Sequence, residues 1–318
     1  MSTTTWIVSG LTVIAVAVLA LYVLVAILAH TPRAPQESEL KYVTNGSEGL
    51  WKFGDVNKPE SVDISVVIPA YNETERLAVM LDEAVPFLDE HFSRKYEIIL
   101  VDDGSKDGTA KVAVEWAVKN DIPSHVLRVV TLGQNRGKGG AVAHGMQFVR
   151  GKYALFADAD GASKFSDVSR LLEAVQKRGA AVAVGSRAHL VSTEAVVKRS
   201  FIRNFLMHGL HLLVYVFGVK SIRDTQCGFK LFTHDAAHRI FPFLHNERWI
   251  FDVEVLMVAQ FKGLPIEEVP ISWHEVSGSK IDIARDSIIM AVDLVVMRMA
   301  FIFGIYNPHQ RTHEKVAL

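Results

Sequence analysis

Two aspartates, Asp158 and Asp160, stand one residue apart directly after a short apolar run, YALFA, at residues 153–157. An apolar run of this length is typical of a strand buried on both faces of a parallel sheet. Such sheets bind ligands at the carboxyl ends of their strands, where the two acids would lie. Neighbouring carboxylates repel unless a cation lies between them, and oxygen-liganded Mg²⁺ or Mn²⁺ is the usual occupant. The alternative is a pair of solvated surface acids.

Polar residues follow other predicted strands in the same way. From residue 62 onwards, apolar runs alternate with segments of helical periodicity, which predicts an α/β fold with a mainly parallel sheet. The carboxyl ends of parallel strands meet at one edge, so the polar residues that follow them are expected to form one site. These residues are Pro69, Tyr71 and Glu73 after the first run, and Asp102 and Asp103 after the second.

A glycine-rich segment, GQNRGKGG, begins at Gly133 after the third predicted strand. It does not match a Walker A loop, which needs four residues between its glycines, nor the dinucleotide pattern, which needs a small residue where this chain has Val142. A glycine-rich turn that opens a helix can still hold a phosphate through its amides, and Arg136 and Lys138 would neutralise the charge. A flexible exposed turn is the alternative.

Composition excludes some classes of protein. The 318 residues carry a formal charge of −1, which argues against a nucleic-acid partner, because nucleic-acid-binding proteins normally have a basic excess. Cys227 is the one cysteine of the chain, so an intramolecular disulfide is excluded.

The N-terminal region predicts a membrane anchor. Residues 6–29 form an uncharged, apolar stretch that is long enough to cross a bilayer. The residues before this stretch contain no Lys or Arg, whereas a cleaved signal peptide has a basic N-terminal region. Basic residues follow the anchor, which places the rest of the chain in the cytosol. We therefore divide the chain into an anchor (1–30), a stalk rich in Pro, Glu, Asn, Gly and Ser (31–60), a large α/β domain (61–280), and an apolar helix with a tail (281–318).

Two later apolar stretches also bear on the membrane. Residues 205–219 are uncharged but short for a span, which favours a buried or interfacial helix near 200–219. Residues 287–306 contain Asp293 and Arg298, and charges are costly inside a bilayer. We expect this second helix to pack on the domain or to lie on the membrane surface, with a second span as the alternative.

Eight motifs occur in one order along the chain: VVIPAYNE, VDDGS, NRGKGGAVAHGM, DADG, VGSR, DTQCGFKLF, RWIFDVE and EVPISWHEVSGSKI. Together they resemble glycosyltransferase family 2, whose members have the GT-A nucleotide-diphospho-sugar transferase fold with a Rossmann-like sheet. The resemblance extends from residue 62 to the C-terminal helix. It implies an inverting enzyme of the endoplasmic reticulum membrane, with its catalytic domain in the cytosol. The implied reaction transfers glucose from UDP-glucose to dolichyl phosphate for assembly of the N-glycan precursor.

The resemblance also assigns roles on the donor side. Asp158 and Asp160 match the D-x-D element that holds Mg²⁺ or Mn²⁺ on the diphosphate of the donor. Related mannosyl enzymes place a glutamine where this chain has Ala162, so water or phosphate oxygens are expected to complete the metal shell. The expected nucleotide-sugar site consists of Pro69, Tyr71, Glu73, Asp102 and Asp103, with Arg136 and Lys138 at the phosphates.

On the acceptor side, dolichyl phosphate is already an anion, so transfer needs no carboxylate base and the site must bring two anions together. The residues that the resemblance places there are Arg187 and Lys280 at the phosphates, Arg199 and Arg203 near the lipid headgroup, and Asp224 and Asp252 beside the acceptor. For the basic segment, solvated charges or contacts with anionic lipids are the alternative. For the two acids, the alternative is structural helix capping.

Two other functions fit the same sequence. One is a sister enzyme that uses GDP-mannose or another sugar nucleotide on the same lipid. The other is an inactive membrane scaffold that keeps the fold, which the intact acids Asp103, Asp158 and Asp160 argue against.

Overall fold

A computed structural model describes residues 3–45, 51–52, 62–190, 209, 213, 217–276, 278 and 282–312. Helix α1 spans Thr3–Leu28, and its apolar part, Trp6–Leu28, is the one helix in these ranges that is long and apolar enough to cross a membrane. Its side chains are almost all exposed, which is expected of a helix that lies in lipid and not in a protein core. The N-terminal helix is therefore a candidate membrane anchor.

The main sheet has seven strands in the order β5-β4-β3-β6-β8-β7-β9. All neighbours are parallel except β8, which runs antiparallel to both β6 and β7. A separate two-stranded sheet pairs β1 with β2. The strands are β1 (Lys41–Tyr42), β2 (Trp51–Lys52), β3 (Ile64–Ala70), β4 (Tyr96–Asp102), β5 (Leu127–Thr131), β6 (Tyr153–Ala157), β7 (Val182–Ser186), β8 (Phe229–Thr233) and β9 (Ile266–Pro270).

Helices cover both faces of this sheet, and each face has its own apolar core. Helices α2, α3 and α5 pack on one face, and α4, α6, α7 and α8 pack on the other. Burial on both faces explains why the central strands are mostly apolar, and the polar residues within them, such as Glu97 in β4, are buried and paired. After α1, the helices are α2 (Leu77–Phe92), α3 (Thr109–Lys119), α4 (Lys138–Met146), α5 (Val168–Arg178), α6 (His234–Ile240), α7 (Phe251–Phe261) and α8 (Ile283–Ile302).

The region predicted to be a stalk packs, in its described part, against the domain. A short 3₁₀ helix, Glu37–Leu40, leads into β1, and Val43 pairs with Val129 at the edge strand β5. The Thr44 hydroxyl donates to the carbonyl of Leu127 at 2.7 Å. Residues 31–45 are therefore not a free spacer, because their backbone finds hydrogen-bond partners on the sheet.

Helix α8 packs on the domain through one side only. Met290, Leu294 and Met297 are buried in the core, whereas Ile288 and Ile302 are exposed. The expectation that this helix packs on the domain agrees with that geometry. Of the other predicted helix, near 200–219, only Gly209, Leu213 and residues 217–219 lie within the described part of the chain.

Candidate active site

The predicted site residues meet at one edge of the sheet. Strands β3, β4, β6 and β7 are parallel, so the loops after them open on the same side, and β8 begins there because it is antiparallel. The chain adds β4 and β5 on one side of β3 and then places β6 on the other. Such a change of direction leaves a crevice between neighbouring loops, which is the usual binding site in this class of sheet.

Asp158 lies at the centre of this edge, directly after β6. Its amide donates to the carbonyl of Gly228 at 3.0 Å, and its carboxylate lies so close to Gly228 that a Cβ there would be 1.9 Å from Oδ2. The Lys138 ammonium lies 2.7 Å from Oδ1 and 2.9 Å from Oδ2 of Asp158. Burial by itself would lower the pKa of Lys138, but the surrounding carboxylates, Asp158 first, raise it. The site therefore holds a charged lysine against the first acid of the D-x-D pair.

Asp160 is held by the turn that follows β6. Its Oδ1 accepts a hydrogen bond from the amide of Ala162 at 3.0 Å. Among the described residues, no group of three or more His, Cys, Asp or Glu side chains is arranged to hold a metal. Two carboxylates suit Mg²⁺ or Mn²⁺, because such ions keep several waters and take further oxygens from substrate phosphates. Both Asp158 and Asp160 attract the Lys138 ammonium, so the two carboxylates together favour a cation at this position, and they fit the predicted metal.

Asp103 organises the glycine-rich loop, residues 133–137. Its carboxylate accepts hydrogen bonds from the amides of Arg136 at 2.7 Å and Gly137 at 2.9 Å. Burial raises the pKa of Asp103 to about 7, although these amides lower it in part. Asp103 therefore has a structural task that the sequence did not reveal, and its contact with the nucleotide stays a prediction.

Arg136 is bound to other parts of the protein in this structure. Its Nε lies 2.6 Å from Oε1 of Glu247, and a terminal nitrogen donates to the carbonyl of Arg33 at 2.7 Å. This charge is already paired with a buried carboxylate, and the phosphate contact of Arg136 stays a prediction. Lys138, two residues later, is the basic residue of this segment that contacts the D-x-D pair, at Asp158.

Asp252 is the second residue of α7 and is buried against Lys230. The Lys230 ammonium also donates to the carbonyl of Cys227 at 2.6 Å. The N-cap of α7 is Ile250, so the alternative of a capping role for Asp252 is not supported. Burial raises the pKa of Asp252, and the attraction of Lys230 lowers it only in part. Asp252 is thus one half of a buried ion pair close to Lys138 and Asp158.

Arg187 and Asp224, both predicted on the acceptor side, contact each other. The guanidinium of Arg187 binds the carboxylate through two hydrogen bonds of 2.7 and 2.8 Å, and its amide donates to the same carboxylate at 2.8 Å. The guanidinium also lies 5.7 Å from the centre of the Trp273 ring. The two-bond contact with Asp224 orients the Arg187 guanidinium at the end of β7. Arg199, Arg203 and Lys280 lie outside the described residues.

The remaining predicted donor residues lie at the edge formed by β3 and β4. Glu73 pairs with Arg76 at 2.6 Å, and its amide donates to the Thr109 hydroxyl at 2.8 Å. Asp102 is buried and accepts a hydrogen bond from the amide of Ser105 at 3.0 Å. Pro69 is part of β3, and Tyr71 follows that strand. These contacts shape the loops, and the nucleotide contacts of the four residues stay predictions.

Residues 65–241 match the sequence profile described as "Glycosyl transferase family 2". The chain belongs to that family. A dolichyl-phosphate beta-glucosyltransferase of Saccharomyces cerevisiae is 50% identical over 317 residues, covering 94% of this chain and 95% of that protein. The enzyme of the same name from Homo sapiens is 43% identical, with coverages of 91% and 92%.

Solved structures support the GT-A fold of this glycosyltransferase. The glucosyl-3-phosphoglycerate synthase from Mycobacterium tuberculosis, in complex with Mn²⁺, UDP-glucose and phosphoglyceric acid, aligns with a TM-score of 0.51 at 19% identity. The alignment covers 81% of this chain and 87% of that chain. At this identity the likeness concerns the fold alone.

The sequence did not single out three residues that the structure places at the site of this glycosyltransferase. They are Gly228 against Asp158, Lys230 against Asp252, and Glu247 against Arg136. Gly228 and Lys230 lie in the DTQCGFKLF motif, which was one available signal. Glu247 had no local signal, because its partner precedes it by 111 residues.

Proposed function

We propose that this glycosyltransferase transfers glucose from UDP-glucose to dolichyl phosphate, with inversion at the sugar carbon. The observation that carries the proposal is the D-x-D pair, Asp158 and Asp160, with Lys138 beside it at the crevice of a GT-A sheet. Relatives that are 50% and 43% identical over nearly their whole length are named for this activity. That extent of similarity supports the same sugar and the same acceptor.

The donor side works by charge. Asp158 and Asp160 would hold Mg²⁺ or Mn²⁺, which when bound supplies positive charge where the departing UDP becomes more negative. Lys138 adds a second positive charge beside Asp158. Asp103 fixes the backbone of the loop that precedes Lys138, so the ammonium is oriented before substrate arrives.

On the acceptor side, the proposed reaction needs no general base. A phosphate is a nucleophile without losing a proton at neutral pH, unlike a sugar hydroxyl. Asp252 is paired with Lys230 and is therefore not oriented as a base. Arg187, held by Asp224, would attract the acceptor phosphate, and Arg199, Arg203 and Lys280 are proposed to assist near the lipid headgroup.

The proposed place of action is the endoplasmic reticulum membrane, with α1 as a single-pass anchor and the catalytic domain in the cytosol. The apolar length of Trp6–Leu28 supports the anchor, and the basic residues that follow it, Arg33 and Lys41, support the orientation. The product would serve as a lipid-linked glucose donor for the N-glycan precursor.

The test is sugar transfer by the detergent-solubilised full chain to dolichyl phosphate, comparing radiolabelled UDP-glucose with GDP-mannose, with and without EDTA. We expect an EDTA-sensitive glucolipid from UDP-glucose only. Asp160→Asn should lower kcat by about 100-fold or more, because it removes one of two carboxylates from the metal. Asp235→Asn, which alters an exposed ion pair on α6, is the matched control. Product from GDP-mannose alone would move the chain to the sister activity, and full turnover by Asp160→Asn would refute the metal assignment.

A further inference from the structure

The segment that joins the anchor to the domain, residues 30–44, contacts the donor side of the site as well as the sheet edge. The carbonyl of His30 accepts a hydrogen bond from the Tyr306 hydroxyl at 2.8 Å. The carbonyl of Arg33 accepts one from the Arg136 guanidinium at 2.7 Å. Farther along, Val43 pairs with Val129. We call residues 30–44 the juxtamembrane segment.

Glu39 is the central residue of this segment and is fully buried. Arg33 binds its carboxylate through two hydrogen bonds of 2.6 and 2.9 Å, and the amide of Gln36 donates to it at 2.8 Å. The same carboxylate accepts a hydrogen bond from the amide of Gly133 at 2.9 Å. Burial alone would raise the pKa of Glu39, but these hydrogen bonds lower it to about 2. Glu39 is therefore ionised and saturated with donors.

Gly133 is the first residue of the glycine-rich loop, residues 133–137. Lys138 follows the loop as the first residue of α4. The juxtamembrane segment holds this loop at two points, Gly133 through Glu39 and Arg136 through the carbonyl of Arg33. A Cβ on Gly133 would lie 2.9 Å from Oε1 of Gln36, so the Gln36 side chain packs closely against the backbone of Gly133. A third contact joins the Glu39 carbonyl to the buried ring of His144 in α4, at 2.8 Å.

We propose that Glu39 is a positioning residue of the donor site, through which the juxtamembrane segment fixes the loop that carries Lys138. The inference rests on the proposed function, in which this loop serves a metal-bound nucleoside diphosphate. The anchor then does more than tether the domain, because the eleven residues from Ala29 to Glu39 lead directly from α1 to a donor-binding loop.

Glu39→Gln is the sharpest perturbation because it keeps the size of the side chain. In the wild-type chain, the Glu39 carboxylate accepts hydrogen bonds from Arg33, Gln36 and Gly133. The side-chain amide of the glutamine has a single acceptor oxygen, so at least one of these donors loses its partner. We expect binding of UDP in the presence of Mn²⁺ to weaken roughly tenfold, which is the effect of losing one hydrogen bond to a charged group. KM for UDP-glucose should rise by a similar factor while kcat changes little, since Asp158 and Asp160 are untouched.

The matched control is Glu37→Gln, two residues earlier, which removes the same charge from an exposed position. A second variant, Arg33→Lys, keeps the charge but loses the two-pronged contact with Glu39, and a smaller rise in KM is expected from it. All variants are measured as full chains in detergent, by titration calorimetry with UDP and Mn²⁺, by steady-state kinetics and by thermal unfolding.

The outcomes separate the two proposals. Weaker UDP binding in Glu39→Gln and Arg33→Lys, with Glu37→Gln like wild type, supports the inference. Normal UDP binding by a folded Glu39→Gln overturns the inference and leaves the proposed function intact. If Glu39→Gln fails to fold and Arg33→Lys binds UDP normally, Glu39 serves stability alone and the inference is overturned. If the wild-type chain binds no UDP, the proposed function is overturned and the inference with it.

Discussion

Gly228→Ala should disable the metal-binding edge by adding one methyl group. The new Cβ would lie 1.9 Å from Oδ2 and 2.3 Å from Cγ of Asp158, whereas Cβ contacts under 3.0 Å essentially do not occur. The carboxylate must therefore move by about 1.1 Å, the difference between 3.0 and 1.9 Å, and a misplacement of that size costs on the order of 100-fold in rate. The φ angle of Gly228 is not positive, so alanine fits the backbone itself.

The assay is glucosyl transfer as a function of Mn²⁺ concentration, together with the thermal midpoint. We expect kcat/KM to fall by roughly 100-fold and the requirement for Mn²⁺ to rise, because Asp158 is displaced from both Lys138 and the metal. The thermal midpoint should change little, since the Asp158 side chain is 29% exposed and has room to rotate. Gly10→Ala in α1 is the control, because its Cβ would meet no atom within 4 Å. A Gly228→Ala variant with wild-type turnover and metal dependence would refute the reasoning.

Two further predictions address stability. The folded chain holds a proton on Asp103 between about pH 4 and about pH 7 that the unfolded chain releases, so the contribution of Asp103 to stability decreases as pH rises through that range. The thermal midpoint of Asp103→Asn should therefore fall less between pH 5 and pH 8 than that of wild type, and equal falls would contradict the raised pKa. Lys230→Met leaves the buried carboxylate of Asp252 unpaired and should cost about 3–5 kcal/mol in denaturant unfolding. Adding Asp252→Leu to Lys230→Met should restore much of the lost stability, and a double variant as unstable as Lys230→Met alone would show that the unpaired charge is not the cause. The control is Arg239→Met, which breaks an exposed ion pair and should cost under about 1 kcal/mol.

Several features were predictable because their signals are local in the sequence. The apolar run YALFA predicts a strand buried on two faces, and the structure confirms it as β6 at Tyr153–Ala157. The parallel arrangement follows from the alternation of strands with helices, and it brings Asp103, Asp158 and Arg187 to one edge. The family resemblance was likewise visible in the motifs, and the family profile confirms it.

Tertiary structure decided what each charged residue contacts. Arg136 was predicted at a phosphate because a basic residue in a glycine-rich turn suits an anion, and only the fold shows that it pairs with Glu247, 111 residues later. Glu39 belongs to a polar stretch typical of a stalk, and only the fold brings it to Gly133, 94 residues away. The antiparallel strand β8 places Gly228 against Asp158 in the same way.

The sequence by itself determined the elements of this glycosyltransferase and the type of chemistry at its site, because periodicity and residue type act over a few neighbouring residues. Only the tertiary structure decided which base each acid pairs with: Asp158 with Lys138, Asp224 with Arg187 and Asp252 with Lys230. The physical reason is that an ion pair or a close backbone approach depends on distance in space, which is set by packing between segments far apart in the chain.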